Sequence, residues 1–354
     1  MPPTAAIAPR ANGILPGLAK LAPGLALCVA IAGMALLAGM EAPLVGAPLF
    51  AIAIGVVVAN TLRDRMRLTT LKIGDISKIC LKTGIVILGA SLDLKDIAHT
   101  GGNSLMFLAV TVVAGLGTAL VLGRSFGIDW RIRCLIAIGT TICGASAIAA
   151  LAPVIRAKAE EIAYAVTVVF FFNMIAVFLF PPLGHLIGLS DNGFGIWTGT
   201  AVNDTSAVVA AGFAFSNDAG TIATIVKLTR TTLIIPLIIG FGLALPWLDP
   251  DAASREAGKS DVSLIRRVYD AFPVFILLFV AASLIQTLGL AGGHAADIQL
   301  LGRWVMVVAL AAVGLQGHWR AFAGAGARPL LLGGLTWAAV AGSSLLMQAI
   351  TRQM

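Results

Sequence analysis

Apolar runs of about 18 to 25 residues, parted by short polar stretches, recur along the chain from Leu21 onward, the length a helix needs to cross a bilayer. They predict spans at 21–40, 44–62, 73–92, 103–123, 160–182, 220–247, 270–290, 303–317 and 328–349. The runs do not alternate with period two, as the strands of a membrane barrel would. Two further apolar segments, 132–155 and 193–215, stand apart because each has a polar centre. The expected fold class is an all-α polytopic membrane protein, multi-pass in the cell (inner) membrane. Residues 1–20 form a cytoplasmic tail, and 21–354 form one transmembrane unit. Composition agrees: 12% of the 354 residues are charged, against about 25% in soluble domains.

The two polar-centred segments resemble each other. Gly139 to Ala150 reads GTTICGASAIAA, and sixty residues on, Gly199 to Ala210 reads GTAVNDTSAVVA. Gly139/Gly199, Thr140/Thr200, Ser146/Ser206, Ala147/Ala207 and Ala150/Ala210 are identical pairs. Repeated Gly-containing interruptions in corresponding apolar segments point to a transporter binding site. Close packing of small-residue helices gathers Gly, Ala, Ser and Thr too, but does not call for Asn203-Asp204. A second repeat has an offset of 225: Pro48/Pro273, Phe50/Phe275, Gly89/Gly314 and Thr111/Thr336. The outer spans 44–123 and 270–349 then form a scaffold-like repeat around a core-like repeat at 132–247.

Charge sets the expected orientation. With the N-terminus inside and both polar-centred segments entering and leaving on one side, 17 of the 24 lysines and arginines are cytoplasmic. Arg156 and Lys158 are among them. Cytoplasmic excess of Lys and Arg is the main orientation rule. It favours inverted repeats with two re-entrant hairpins meeting at the membrane midplane. Two broken helices crossing there are the alternative and would produce similar chemistry. In both arrangements the tips, near Thr141–Gly144 and Val202–Thr205, begin half-helices whose free N–H groups attract anions. The hydroxyls of Thr140, Thr141 and Ser146 are further donors, or simple helix caps.

Four cations fall within spans: Lys78, Lys82, Lys227 and Arg230. Lys78 and Lys82, near a span end and close to Asp75, read as snorkelling side chains. Lys227 and Arg230 share a helix face, and Arg230 lies about 15 Å from the start of its span, near the midplane. An intramembrane charge marks a functional site by default. The candidate substrate-binding residues are therefore Thr140, Thr141, Cys143, Gly144, Ser146, Asn203, Asp204, Thr205, Ser206, Lys227 and Arg230. Asp204, the only acid at the tips, is either a partner of Arg230 or the coupling residue for a proton or sodium. Asn60 and Asn173, single polar residues within spans, either line the site or, the commoner role, hydrogen-bond between helices. The four cysteines have no metal-ligand spacing, and His99, His185, His294 and His318 read as loop residues. There is no Walker motif. No metal, cofactor, nucleic-acid partner or enzymatic activity is expected.

At GTTICGASAIAA, GTAVNDTSAVVAAG and VKLTR the chain resembles the YeiH family of sulfate exporters, and PLFAIAIG and GASLDLKDI fit the same resemblance. It covers nearly everything after the N-terminal tail. The resemblance implies a core domain and a scaffold domain, a homodimer, and elevator-like alternating access. With the residues above, the expectation is a secondary active transporter of a small anion such as sulfate, a sulfonate or another organic anion. The alternatives are a cation/proton antiporter-like carrier using Asp204, or an anion channel.

Overall fold

The computed structural model describes residues 21–42, 46–62, 70–248, 273–290, 294–317 and 326–354. The N-terminal tail 1–20, the loop arginines Arg63, Arg65 and Arg67, the connector 250–270, His318 and Arg320 lie outside the described residues. In chain order the helices are α1 (Ala22–Glu41), α2 (Gly46–Thr61), α3 (Ile73–Gly89), α4 (Leu94–Ser125), α5 (Trp130–Thr141), α6 (Ala145–Leu151) and α7 (Ala159–Leu186). They continue with α8 (Asp191–Ala201), α9 (Thr205–Phe215), α10 (Asn217–Thr232), α11 (Ile234–Leu248), α12 (Val274–Thr287), α13 (Ala295–Gly314) and α14 (Ala327–Thr351). No strand occurs among the described residues.

Among the described residues, six stretches are long and apolar enough to cross a membrane: α1, α4, α7, the α10–α11 stretch Asn217–Ala244, α13 and α14. Their outward faces keep large apolar side chains such as Leu37, Val113, Val121 and Ile350 exposed, as a surface solvated by lipid requires. Three other expected crossings are met by shorter helices, α2, α3 and α12, of 16, 17 and 14 residues. The span expected at 103–123 is longer. Asp93 caps the helix by accepting Lys95 N–H at 2.7 Å, so Leu94–Gly102 is helical despite its charges. His99 and His185 are accordingly helical, not loop residues, and the His185 ring stacks on Phe215. The span expected at 220–247 is interrupted at Leu233, between α10 and α11.

The outer helices pack in an exchanged pattern. α3 lies along α13, α2 packs on α13, and α12 packs on α3. Glycine permits both crossings. A Cβ at Gly89 of α3 would lie 2.6 Å from the Phe279 carbonyl oxygen of α12, and one at Gly314 of α13 would lie 2.4 Å from that of Ile52 in α2. Asn60 ties α2 to the turn after α13 by donating to the Gly317 carbonyl at 2.8 Å.

Both polar-centred segments break and fold back. Arg131, at the start of α5, donates to the Ile155 carbonyl beyond α6 at 3.1 Å. Phe194, at the start of α8, stacks on Phe215, at the end of α9, with ring centroids 3.9 Å apart. Asp129 and Ser190 cap the incoming helices, accepting from Arg131 N–H and Gly193 N–H. The 28 residues of α7 join the open end of the first pair to that of the second, a rise of about 42 Å. The two open ends therefore lie far apart, while the breaks meet near the middle of α7.

Candidate functional site

The centre of the molecule is built from two interruptions of helical backbone. At the first, Ile142 takes φ −118° and ψ −89°, and Gly144 takes φ +68° and ψ −133°. That conformation is available essentially to glycine alone. At the second, Val202 and Asp204 are extended. The breaks touch: a Cβ on Gly144 would sit 3.7 Å from Cα and Cβ of Asp204.

A helix that stops inside the protein leaves its last carbonyls without N–H partners, and those carbonyls carry negative partial charge. Lys227 and Arg230 satisfy them. Arg230 donates from Nε to Thr141 O at 2.6 Å and from Nη2 to Thr140 O at 2.6 Å, both at the end of α5. Its Nη1 donates to Val202 O at 2.9 Å, with Gly199 O at 3.4 Å, at the end of α8. Lys227 Nζ donates to Ile142 O at 2.5 Å, to Val202 O at 3.1 Å and to Asn203 O. Both cations are 0% exposed and so cannot snorkel. One helix face of α10 thus pins both interrupted backbones.

Substrate binding is the role expected of the two cations, and what they touch here is backbone. The fork of Arg230 and the ammonium of Lys227 are directed at carbonyls, not at an open ligand position. Thr140 and Thr141 enter through their carbonyls, and the Thr141 hydroxyl bonds back to Ala137 O at 2.7 Å. The expected Arg230–Asp204 partnership is also absent. The Asp204 carboxylate instead caps α9, accepting from Ser206 N–H at 2.9 Å and from the Ser206 hydroxyl.

Asn173, midway along α7, is bonded to the second break. Its Oδ1 accepts from Asn203 N–H at 3.1 Å and from Asp204 N–H at 3.0 Å, holding the second break in register with α7. These bonds fix the amide orientation, so Nδ2 is the atom left buried without a partner. An isolated polar residue in an apolar span was the available signal, but such residues usually bridge helices.

Two cavities flank the breaks. The smaller, about 260 Å³, is bordered by Asp204, Ser206, Asn173, Thr167 and Gln316 among apolar side chains. The larger, about 880 Å³, is bordered by Cys143, Ser146, Thr205 and Thr231, with Lys82 and Thr83 of α3 on the facing wall. The candidate residues therefore divide into three groups. Cys143, Ser146 and Thr205 face the larger cavity, and Asp204 and Ser206 the smaller. Lys227 and Arg230 line neither, and Asn203 is buried with its Oδ1 unpartnered. No cluster of three or more His, Cys, Asp or Glu suited to a metal occurs among the described residues.

These features define a multi-pass helical membrane protein with two interrupted helix pairs pinned at its centre. The chain belongs to the UPF0324 membrane protein family. The family profile described as "Conserved hypothetical protein 698" matches residues 23–333, which include both breaks. The chain is 40% identical over 336 residues to a UPF0324 membrane protein of Streptococcus agalactiae serotype V, covering 93% of this chain and 97% of that one. It is 41% identical over 334 residues to one from Streptococcus pyogenes serotype M3, covering 92% and 96%. A relative from Clostridium tetani is 36% identical over 316 residues, covering 88% and 91%. None of these names is that of a YeiH exporter, and none states a substrate. No solved structure matches.

Proposed function

We propose that the protein is a secondary carrier of a small anion, working by alternating access and coupled to a proton at Asp204. The observation that carries this reading is the pinned pair of breaks. Interrupted helices cost backbone hydrogen bonds, and within a membrane they are tolerated where they are buried in protein or line a watery cavity. Here two of them meet midway along α7, flanked by cavities on two faces. The electrostatics favour an anion. Lys227 and Arg230 contribute +2. Each α5 and α8 C-terminus offsets roughly half a charge, and the α6 and α9 N-termini add about as much back. Asp204 subtracts one, leaving about +1 at the centre, and a monoanion that binds together with the coupled proton leaves that charge unchanged.

The fold-back contacts support hairpins that enter from opposite faces, with 132–247 as the core. The exchanged packing of Gly89 and Gly314 supports an inverted scaffold repeat. A homodimer in the cell membrane with elevator-like motion, as in the resembled exporters, completes the proposal. It includes no ATP hydrolysis, cofactor or enzymatic step. Cation–proton exchange at Asp204 is the second reading, favoured by the carboxylate in the smaller cavity. Proteoliposome flux with imposed pH gradients, run over sulfate, sulfonates, carboxylates, Na⁺ and K⁺, separates the two. Anion flux driven by a proton gradient supports the carrier. Cation flux alone transfers Asp204 to the second reading, and anion conductance indifferent to the pH gradient makes the protein a channel.

A further inference from the structure

The two cavities differ in what they leave unsatisfied. The larger one is bordered by the Lys82 ammonium and the Ser146 and Thr205 hydroxyls, all open to water, with the Thr231 hydroxyl bonded to Lys227 O at 2.8 Å. The smaller one is bordered by Asn173 and Asp204, which keep a buried donor and an acceptor unused. Asn173 is 5% exposed and its Nδ2 has no acceptor. Asp204, whose N–H donates to Asn173 Oδ1 at 3.0 Å, commits Oδ2 to Ser206 and keeps Oδ1 for another partner. A buried N–H without an acceptor is costly, so a ligand oxygen is welcome there. The rest of the wall is apolar, with Ile52 of α2, Met174 and Val177 of α7 and Val313 of α13. At about 260 Å³ the space lies below the roughly 300–1,000 Å³ of pockets for drug-sized ligands.

We propose that the smaller cavity binds a small monocarboxylic acid with an apolar body, one carboxylate oxygen accepting from Asn173 Nδ2 and the other sharing a proton with Asp204. This rests on the anion-carrier reading and names its substrate class. One proton between two carboxylates leaves a single negative charge, whereas two bare carboxylates in contact would repel. An inorganic oxyanion would leave the apolar wall uncovered, and an ammonium would leave the Asn173 donor unsatisfied. The charged and titratable groups around Asp204 are Lys227 and Arg230 on α10 and the Cys143 thiol at the first break. From α2, α7 and α13 the cavity receives Thr167, Asn173 and Gln316 as its polar groups and no ionisable one.

The test is isothermal titration of the purified full chain with acetate, propanoate, butanoate, pentanoate and sulfate, repeated in buffers of different ionisation heat. Affinity is expected to rise about three- to fourfold per methylene until the cavity is full, with about one proton taken up per molecule bound. Asp204→Asn is expected to bind butanoate with neither proton uptake nor pH dependence, because the amide can donate directly. Asn173→Ala also releases the backbone of the second break, so Val313→Phe, on another element, is the second variant. It fills the cavity and should weaken pentanoate at least tenfold more than acetate. An affinity flat across chain length, sulfate binding as tightly as butanoate, or unchanged proton uptake in Asp204→Asn would overturn the proposal. Its failure can be told from failure of the carrier reading. Proton-driven sulfate flux without butanoate binding leaves the carrier and removes this site. Butanoate binding without flux leaves the site and removes the carrier.

Discussion

Replacing Arg230 by Met removes the guanidinium and keeps an unbranched side chain of helical propensity. In the parent protein Arg230 is the side-chain donor to Thr140 O and Thr141 O, each at 2.6 Å, whereas Val202 O is also served by Lys227. Leaving a buried carbonyl without its donor costs about 1–3 kcal/mol, so two cost about 2–6 kcal/mol. Methionine avoids desolvating a charge, which offsets part of this and places the expectation near the lower end. A local opening free energy reduced by about 2 kcal/mol raises the amide exchange rate roughly 30-fold. Hydrogen–deuterium exchange on the purified variant should show that increase at residues 139–146. A smaller change is expected at 199–206, where Lys227 still holds Val202 O and Asn203 O. Substrate binding should fall with it, because the breaks no longer hold their geometry. Parent-like exchange combined with lost anion binding would refute the pinning argument and return Arg230 to direct ligand contact.

Gly144→Ala forces a side chain into φ +68°, ψ −133° without a clash, since the nearest atoms are 3.5 Å or more away; a loss of about 1–3 kcal/mol in unfolding measurements is expected. Gly199→Ala tests packing instead, with its Cβ 2.7 Å from that of Val226, and should lower the melting temperature without any strained dihedral. A cysteine between Arg156 and Lys158 should resist impermeant maleimide in intact cells while one at Asn217 is labelled; the reverse pattern inverts the proposed topology. Proton-driven uptake by the parent should rise as external pH falls, since substrate and proton bind together and the linkage is reciprocal. Asp204→Asn should flatten that profile, and a profile of unchanged slope would remove Asp204 as the coupling residue.

The helical, multi-pass class is legible in the residues alone, because spans of this length and apolarity have few other solutions in lipid. The sequence also located both interruptions, since GTTICGAS and GTAVNDTS set glycine and polar side chains where helices would otherwise run unbroken. It marked Lys227 and Arg230 as exceptional, because depth along a helix follows from counting residues. What those cations touch emerges only on folding. Their acceptors are backbone carbonyls, which every residue carries and no residue type announces. A charge that serves a helix end therefore reads in sequence like a charge that serves a ligand. The sequence left Asn173 between lining the site and bridging helices for a related reason: its partners are the N–H groups of Asn203 and Asp204, thirty residues away, brought to it by the second fold-back. The division of the polar tip residues between two cavities belongs to the tertiary structure too. Thr205 and Ser206 are neighbours in sequence, yet successive positions on a helix point about 100° apart, and only the packing of α2, α3, α12 and α13 around the breaks gives each its own cavity.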